Sequence, residues 1–275
     1  MMGLRLRVGR IGCASHGRAR LSPVPTGLVC PAPGGYDVEK PRNPGRDRGS
    51  LSPVPRFLVV RCYNPATMRH YRCVFIDWHG TRSTDRLWGH HPGFAALAAP
   101  LFAPTGDLAA LLLPWLRGAL ASEAVVRALA AAGGVAYAPA LREFIVGCRR
   151  MARVSAEIPG LIAALRGRGV RVVIATDNTD AFMRWTVPSL GLERLVDAIL
   201  CSSELGAVKP DADNRGRSLF FDAFLRRAGL GPGESVLLDD SPDAGGRLAA
   251  FGIDDRQLIP ATGGRVPALR RLAHG

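Results

Sequence analysis

The feature that most constrains the fold is an alternation of short apolar segments, rich in β-branched residues, with segments of helical periodicity. The apolar segments predict five strands, at 72–77, 169–176, 198–202, 235–239 and 256–260. Helical segments lie between or after them, at 158–166, 218–228 and 266–273. Strands that are apolar on both faces are typical of parallel sheets covered by helices on both sides. The pattern therefore predicts an α/β fold built on a Rossmann-like parallel sheet.

One interval interrupts this alternation. Residues 87–157 contain no apolar strand and are rich in Ala and Leu. Segments 107–120 and 122–132 have amphipathic helical periodicity, and Ser122 is a residue type that favours the N-cap position. We therefore expect 87–157 to form a small α-helical cap, inserted into a core made of residues 69–86 and 158–275.

Residues 1–68 differ in composition from the rest of the chain. They hold 9 Pro and 9 Gly, and no helical or strand period persists there. Such a segment buries too little apolar surface to offset its ordering entropy, so we expect a disordered extension. Its Arg-rich, acid-poor character also fits a transit segment. Alternatively, translation starts at Met68, shortly before the first predicted strand.

The formal net charge of +13 would ordinarily suggest a nucleic-acid partner. Residues 1–68 carry 11 basic against 3 acidic residues, however, so most of the excess lies outside the predicted core. We therefore expect no specific nucleic-acid partner. We also expect no membrane segment, because the longest uncharged stretch, 87–106, is interrupted by prolines. The six cysteines form no CxxC pair, which indicates reduced thiols in a cytoplasmic protein.

Polar residues fall at the ends of three of the predicted strands. Asp77, Thr176 and the pair Asp239–Asp240 occupy these positions. In open parallel sheets, the carboxyl ends of the strands form the ligand crevice. Lys209 lies between the third and fourth strands and is the only lysine after Met68 in a chain that otherwise uses arginine. A single lysine in this setting indicates a need for a compact ammonium group.

Four sequence segments resemble the ordered motifs of the haloacid dehalogenase-like hydrolase superfamily. They are FIDWHGT at 75–81, VVIATDN at 172–178, AVKPD at 207–211 and VLLDDSPDA at 236–244. The resemblance spans roughly residues 72–260 and rests on all four motifs in order. It implies a hydrolase whose helical cap excludes water and selects the substrate.

The resemblance also implies roles for individual residues. Asp77 would be the nucleophile that takes up a phosphoryl group, and Thr176 would bind a phosphate oxygen. Lys209 would neutralise charge on the nucleophile and on the transferring group. Mg²⁺ would be the cofactor, held by Asp240, Asp77 and the backbone carbonyl of His79, with Asp239 assisting. The implied partner is a small phosphorylated substrate.

Two positions depart from the family pattern. His79 stands where related phosphatases usually place a second aspartate as general acid and base. An imidazole could protonate a leaving oxygen, or the protein could be a catalytically weak phosphate-binding protein. Metal-independent dehalogenases also lack that aspartate, and they remain the alternative activity. Ala244 replaces a residue that is often Asn or Asp, which weakens support for Lys209 or the metal site.

Overall fold

The computed structural model describes residues 70–78, 87–151, 155–243, 245–257 and 265–274. Within them, five parallel strands form one sheet in the order β3-β2-β1-β4-β5. The strands are β1 (Cys73–Ile76), β2 (Arg171–Thr176), β3 (Ala198–Cys201), β4 (Ser235–Asp239) and β5 (Asp254–Gln257). The predicted α/β class with a Rossmann-like parallel sheet is confirmed. The fifth strand begins two residues earlier than predicted, and residues 258–260 lie outside the described part.

Helices cover both faces of this sheet because its strands are apolar on both faces. Alternate side chains of the central strands enter two separate clusters, one containing Val74 and Ile76 and the other Phe75. On the first face pack α5 (Ile158–Gly167) and α11 (Arg265–His274), and on the second α9 (Asp222–Ala228) and α10 (Arg247–Phe251). This two-sided burial is the arrangement expected of a parallel sheet.

The remaining helices are short, with two exceptions. After β1 come α1 (Pro92–Ala95), α2 (Leu112–Leu116), α3 (Ser122–Ala132) and α4 (Tyr137–Arg150), with 3₁₀ turns at Ala96–Phe102 and Ala109–Leu111. After β2 comes a π-helical turn, Phe182–Thr186, followed by α6 (Val187–Leu190) and α7 (Leu192–Leu195). Helix α8 (Ser202–Leu205) follows β3, and a 3₁₀ turn, Pro232–Glu234, precedes β4.

Helices α1–α4 and their 3₁₀ turns, which we call the helical layer, enclose a hydrophobic cluster of their own. This cluster contains Trp88, Trp115, Phe144 and Leu129. It also takes in Trp185 from the π-helical turn that follows β2. The helical layer is therefore packed against the polypeptide that leads away from the end of β2. Its identity as a substrate-selecting cap stays a prediction.

Two details of the helical layer differ from expectation. The helix predicted at 107–120 is a 3₁₀ turn followed by α2, which ends at Leu116 because Gly118 adopts a left-handed φ of +69°. Ser122 is not the N-cap of α3. The N-cap is Ala121, and the Ser122 hydroxyl lies instead against Asp180, at 2.5 Å.

Gly118 marks a close approach between the helical layer and the core. A Cβ atom at this position would lie 2.0 Å from the carbonyl oxygen of Ser203. Gly134 has a similar φ of +65°, but a Cβ atom there would have no neighbour within 4 Å, so it serves as a matched control. We expect Gly134→Ala to cost about 1–2 kcal/mol of unfolding free energy from backbone strain. Gly118→Ala should cost about 1–3 kcal/mol more, because the Ser203 backbone must move.

Urea denaturation of the two alanine variants beside the wild type measures this difference. Equal losses for the two variants would show that the helical layer does not rest closely on Ser203.

In the part of the chain that the structure describes, no helix has the length and apolar character needed to cross a membrane. The three described cysteines, Cys73, Cys148 and Cys201, are buried free thiols. The cytoplasmic location and the absence of a nucleic-acid partner stay predictions.

Candidate active site

The order of the strands brings the predicted site residues to one edge of the sheet. β1 is central, and its neighbours are β2 on one side and β4 on the other. Asp77 directly follows β1, while Thr176 and Asp239 are the last residues of β2 and β4. The chain leaves β1 toward β2 and later returns to β4 on the other side of β1. In open α/β sheets such a switch point is the usual place of the ligand crevice. The Asp77 amide donates a hydrogen bond to the Leu238 carbonyl at 2.9 Å, which fixes Asp77 beside β4.

Lys209 joins two of these carboxylates. Its Nζ lies 3.0 Å from Asp77 Oδ1 and also donates to Asp239 Oδ2. All three side chains are buried. The backbone amide of Lys209 donates to Asp177 Oδ1 at 2.9 Å, so the residue after Thr176 holds the lysine backbone. The structure thus places the Asp177 side chain as a support for Lys209.

The charges of the site shift one another's protonation. Burial raises the pKa of Asp77, because loss of hydration outweighs the attraction of Lys209. Burial also raises the pKa of Asp177, again against the opposing effect of Lys209. For Lys209 burial acts to lower the pKa, but Asp77, Asp239 and Asp177 outweigh it, so the pKa is raised. The carboxyl groups around Lys209 therefore favour its charged ammonium form.

Three of these carboxylates form a cluster that fits a hard divalent cation. Oxygens of Asp77, Asp239 and Asp240 lie within 4.8 Å of one another. Carboxylate oxygens are the ligands that Mg²⁺ prefers, so this set of donors fits the cation. Asp239 already accepts from Lys209 through Oδ2 and from the Ser241 amide through Oδ1, at 2.8 Å. That Asp240 and Asp77 are the main ligands, with Asp239 assisting, stays a prediction.

Thr176 contributes a buried hydroxyl group. It is 0% exposed, and its Oγ1 has no hydrogen-bond partner among the described residues. Buried hydroxyl groups in folded proteins are nearly always paired, so the Thr176 hydroxyl is available to a ligand or to an ordered water. The neighbouring Asn178 is used differently, since its Oδ1 accepts from the Thr179 amide at 2.9 Å and shapes the turn.

Asp180 is a further polar residue at this edge, and sequence reasoning missed it. Its Oδ1 accepts from Trp115 Nε1 at 3.0 Å and from the Ser122 hydroxyl at 2.5 Å, both in the helical layer. Arg184 Nη1 donates to Oδ2 at 2.9 Å. Partial burial opposes ionisation, but the hydrogen bonds from Ser122, Arg184 and Trp115 lower the pKa of Asp180. The carboxylate thus ties the helical layer to the turn after β2. In the sequence, the one signal for Asp180 is that it lies four residues after Thr176.

Two predicted positions cannot be placed. His79 and Ala244 lie outside the described residues. The structure therefore brings together Asp77, Lys209, Asp239 and Asp240, places Thr176 at the same sheet edge, and leaves His79 as a prediction.

Comparisons with known proteins agree with this architecture. A family model described as a haloacid dehalogenase-like hydrolase matches residues 104–250, which is more than half of the chain. No curated protein matches the sequence.

Several solved structures share the fold. A predicted HAD-like family hydrolase from Porphyromonas gingivalis is 18% identical, with a TM-score of 0.55 over 75% of this chain and 99% of the other. A HAD family enzyme from Bacteroides thetaiotaomicron, in complex with magnesium and inorganic phosphate, is 16% identical, with a TM-score of 0.51 over 68% and 93%. An L-2-haloacid dehalogenase is 19% identical, with a TM-score of 0.50 over 74% and 100%. At these identities the likeness shows a common fold.

Proposed function

The chain belongs to the haloacid dehalogenase-like hydrolases, and from this membership we propose that it is a Mg²⁺-dependent phosphatase of a small phosphorylated substrate. The observation that carries the proposal is the carboxylate cluster of Asp77, Asp239 and Asp240, with oxygens within 4.8 Å, beside the Lys209 ammonium. Hydrolysis of phosphate esters depends mainly on positioning and on neutralising charge, and this group of residues supplies both.

In the proposed mechanism Asp77 attacks the phosphorus atom of the substrate through a carboxylate oxygen. The bond from phosphorus to the ester oxygen breaks, the alcohol leaves with a proton, and an aspartyl-phosphate remains. Water then attacks the phosphorus, which releases inorganic phosphate and regenerates the Asp77 carboxylate. Mg²⁺, when bound, would neutralise the carboxylates and the phosphoryl oxygens.

Lys209 and Thr176 assist both steps. The Lys209 ammonium, 3.0 Å from Asp77 Oδ1, stabilises negative charge as the phosphoryl group transfers. The buried Thr176 hydroxyl donates to a phosphoryl oxygen, which gives it the partner that the described residues do not provide. We propose His79 as the group that protonates the leaving oxygen; a phosphate-binding protein with slow turnover is the outcome if it does not. The helical layer acts as the cap over this edge.

A screen of phosphorylated metabolites and 2-haloacids, with and without Mg²⁺, tests the proposal. We expect Mg²⁺-dependent release of inorganic phosphate, and loss of that activity when Mg²⁺ is removed with a chelator. We also expect Mg²⁺ alone to raise the melting temperature, because it binds the folded state. Halide release that persists with the chelator would instead indicate a dehalogenase. Phosphate binding without turnover would indicate a binding protein.

A further inference from the structure

A salt bridge connects the helical layer with residues 207–211, which we call the Lys209 loop. Arg117, the residue after α2, donates from Nε to Asp211 Oδ2 at 3.1 Å and from Nη2 to Oδ1 at 2.8 Å. Asp211 Oδ2 also accepts from the Val208 amide at 3.0 Å. One carboxylate therefore closes the turn around Lys209 and receives a forked contact from the helical layer. Forked arginine–carboxylate pairs are geometrically specific as well as strong.

Arg117 is itself held in place by its neighbours in the chain. Trp115 donates to Asp180 at 3.0 Å, and the Ser122 amide donates to the same carboxylate at 3.1 Å. Between them, Gly118 lies directly against the Ser203 carbonyl. Segment 115–122 therefore begins and ends at Asp180, and between these ends it contacts Ser203 and the Lys209 loop. Such anchoring limits the freedom of the Arg117 side chain.

The Lys209 loop also has contacts that do not involve the helical layer. Asp177 accepts from the Lys209 amide at 2.9 Å, and Arg247 Nη1 donates to the Pro210 carbonyl at 3.2 Å. The loop lies outside the strands and gains no support from the sheet ladder. Without Arg117, the Asp211 carboxylate would keep its bond from the Val208 amide, and the Asp211 carbonyl would keep its bond from the Leu219 amide at 2.9 Å.

We propose that Arg117 is a positioning residue for Lys209, so that the lysine reaches its working place only while the helical layer is seated on the core. The inference rests on the proposed function of Lys209 in phosphoryl transfer. An ammonium group that must meet both Asp77 and Asp239 tolerates little displacement, because errors of about 1 Å at a catalytic group cost up to about 100-fold in rate. Seating of the helical layer is thereby coupled to assembly of the site.

The chain offers a control pair with an arginine of similar exposure. Arg166 Nε donates to Asp197 Oδ1 at 2.9 Å, and Asp197 Oδ2 accepts from the Val172 amide at 2.8 Å. The Arg166 side chain is about as exposed as that of Arg117, at 41% against 39%, but it contacts its carboxylate through Nε and not through a fork. Val172 lies near the start of β2, at the opposite edge of the sheet from the site. Arg166→Ala therefore removes a salt bridge without touching the Lys209 loop.

Amide hydrogen exchange and steady-state kinetics on the full chain test the proposal. In Arg117→Ala we expect exchange at Val208 and Lys209 to rise at least about tenfold, with Arg166→Ala unchanged at both amides. In the same variant kcat should fall by about 10- to 100-fold while KM stays within about twofold. Arg117→Lys should recover part of kcat, because it keeps the charge but not the fork. Asp211→Asn, which keeps an oxygen for Val208, should resemble Arg117→Ala.

Unchanged exchange at Val208 and Lys209 in Arg117→Ala would overturn the proposal, as would faster exchange with an unchanged kcat. An equal loss of kcat in Arg166→Ala would also overturn it, because the effect would then be a general loss of stability. A wild type that releases no phosphate would overturn the proposed function instead, and the exchange rates would still decide whether Arg117 holds the loop.

Discussion

Replacing Asp77 with Asn is expected to lower kcat for phosphate esters by about 10⁴-fold or more. Asparagine has nearly the same shape and keeps an oxygen for Lys209, but its amide is a very poor nucleophile. Removing the nucleophile from enzymes that form covalent intermediates has effects of this order. Because Asp77 is buried and its pKa is raised, the neutral side chain should fold well, and we expect an unfolding free energy within about 1 kcal/mol of the wild type.

Steady-state phosphate release and urea denaturation of the Asp77→Asn protein measure the two effects. Asp222→Asn is the control, since Asp222 forms a surface salt bridge with Arg226 on α9 and should leave kcat unchanged. Full activity in the Asp77 variant would show that another group accepts the phosphoryl group. If the Asp77→Asn protein were much less stable than the wild type, misfolding would explain its lost activity.

Replacing Lys209 with Met is expected to affect both turnover and stability. The substitution keeps an unbranched side chain but removes the positive charge that lies between Asp77 and Asp239. Breaking a buried ion pair on one side leaves uncompensated charge, which typically costs about 3–5 kcal/mol. Loss of a charge-stabilising donor should also lower kcat by about 10²–10³-fold.

Thermal and urea unfolding of the Lys209→Met protein, with and without Mg²⁺, check the prediction. Mg²⁺ should restore part of the lost stability, because the cation supplies positive charge to the same carboxylates. Arg226→Met, which removes an exposed cation, should cost less than about 1 kcal/mol. If the Lys209→Met protein were as stable and as active as the wild type, the positive charge of Lys209 would be needed for neither stability nor turnover.

The strand-end residues could be predicted from the sequence because a parallel sheet gathers them without further information. Asp77, Thr176 and Asp239 end neighbouring strands, and strand order alone brings them to one edge. Lys209 was identifiable from the scarcity of lysine and from its place between β3 and β4. These inferences need only local patterns and the general topology of α/β sheets.

The contacts between the helical layer and the core could not be predicted in the same way. Asp180 and Trp115 lie 65 residues apart, and Arg117 and Asp211 lie 94 apart. No periodicity marks such pairs, because they depend on how two packed units meet. Ser122 shows the effect: as a serine at the start of a helix it suited an N-cap, but tertiary packing placed its hydroxyl on Asp180. Gly118 did carry a local signal, since glycine after an apolar helical segment is typical of a helix end.

Identification of the residue that becomes phosphorylated tests the central claim most directly. The protein would be mixed with a turned-over substrate and Mg²⁺, quenched in acid, digested and analysed by mass spectrometry. We predict a transient phosphoryl group on the peptide that contains Asp77, absent without Mg²⁺ and absent in Asp77→Asn. A phosphoryl group on another residue, or phosphate release from the Asp77→Asn protein at the wild-type rate, would contradict the account.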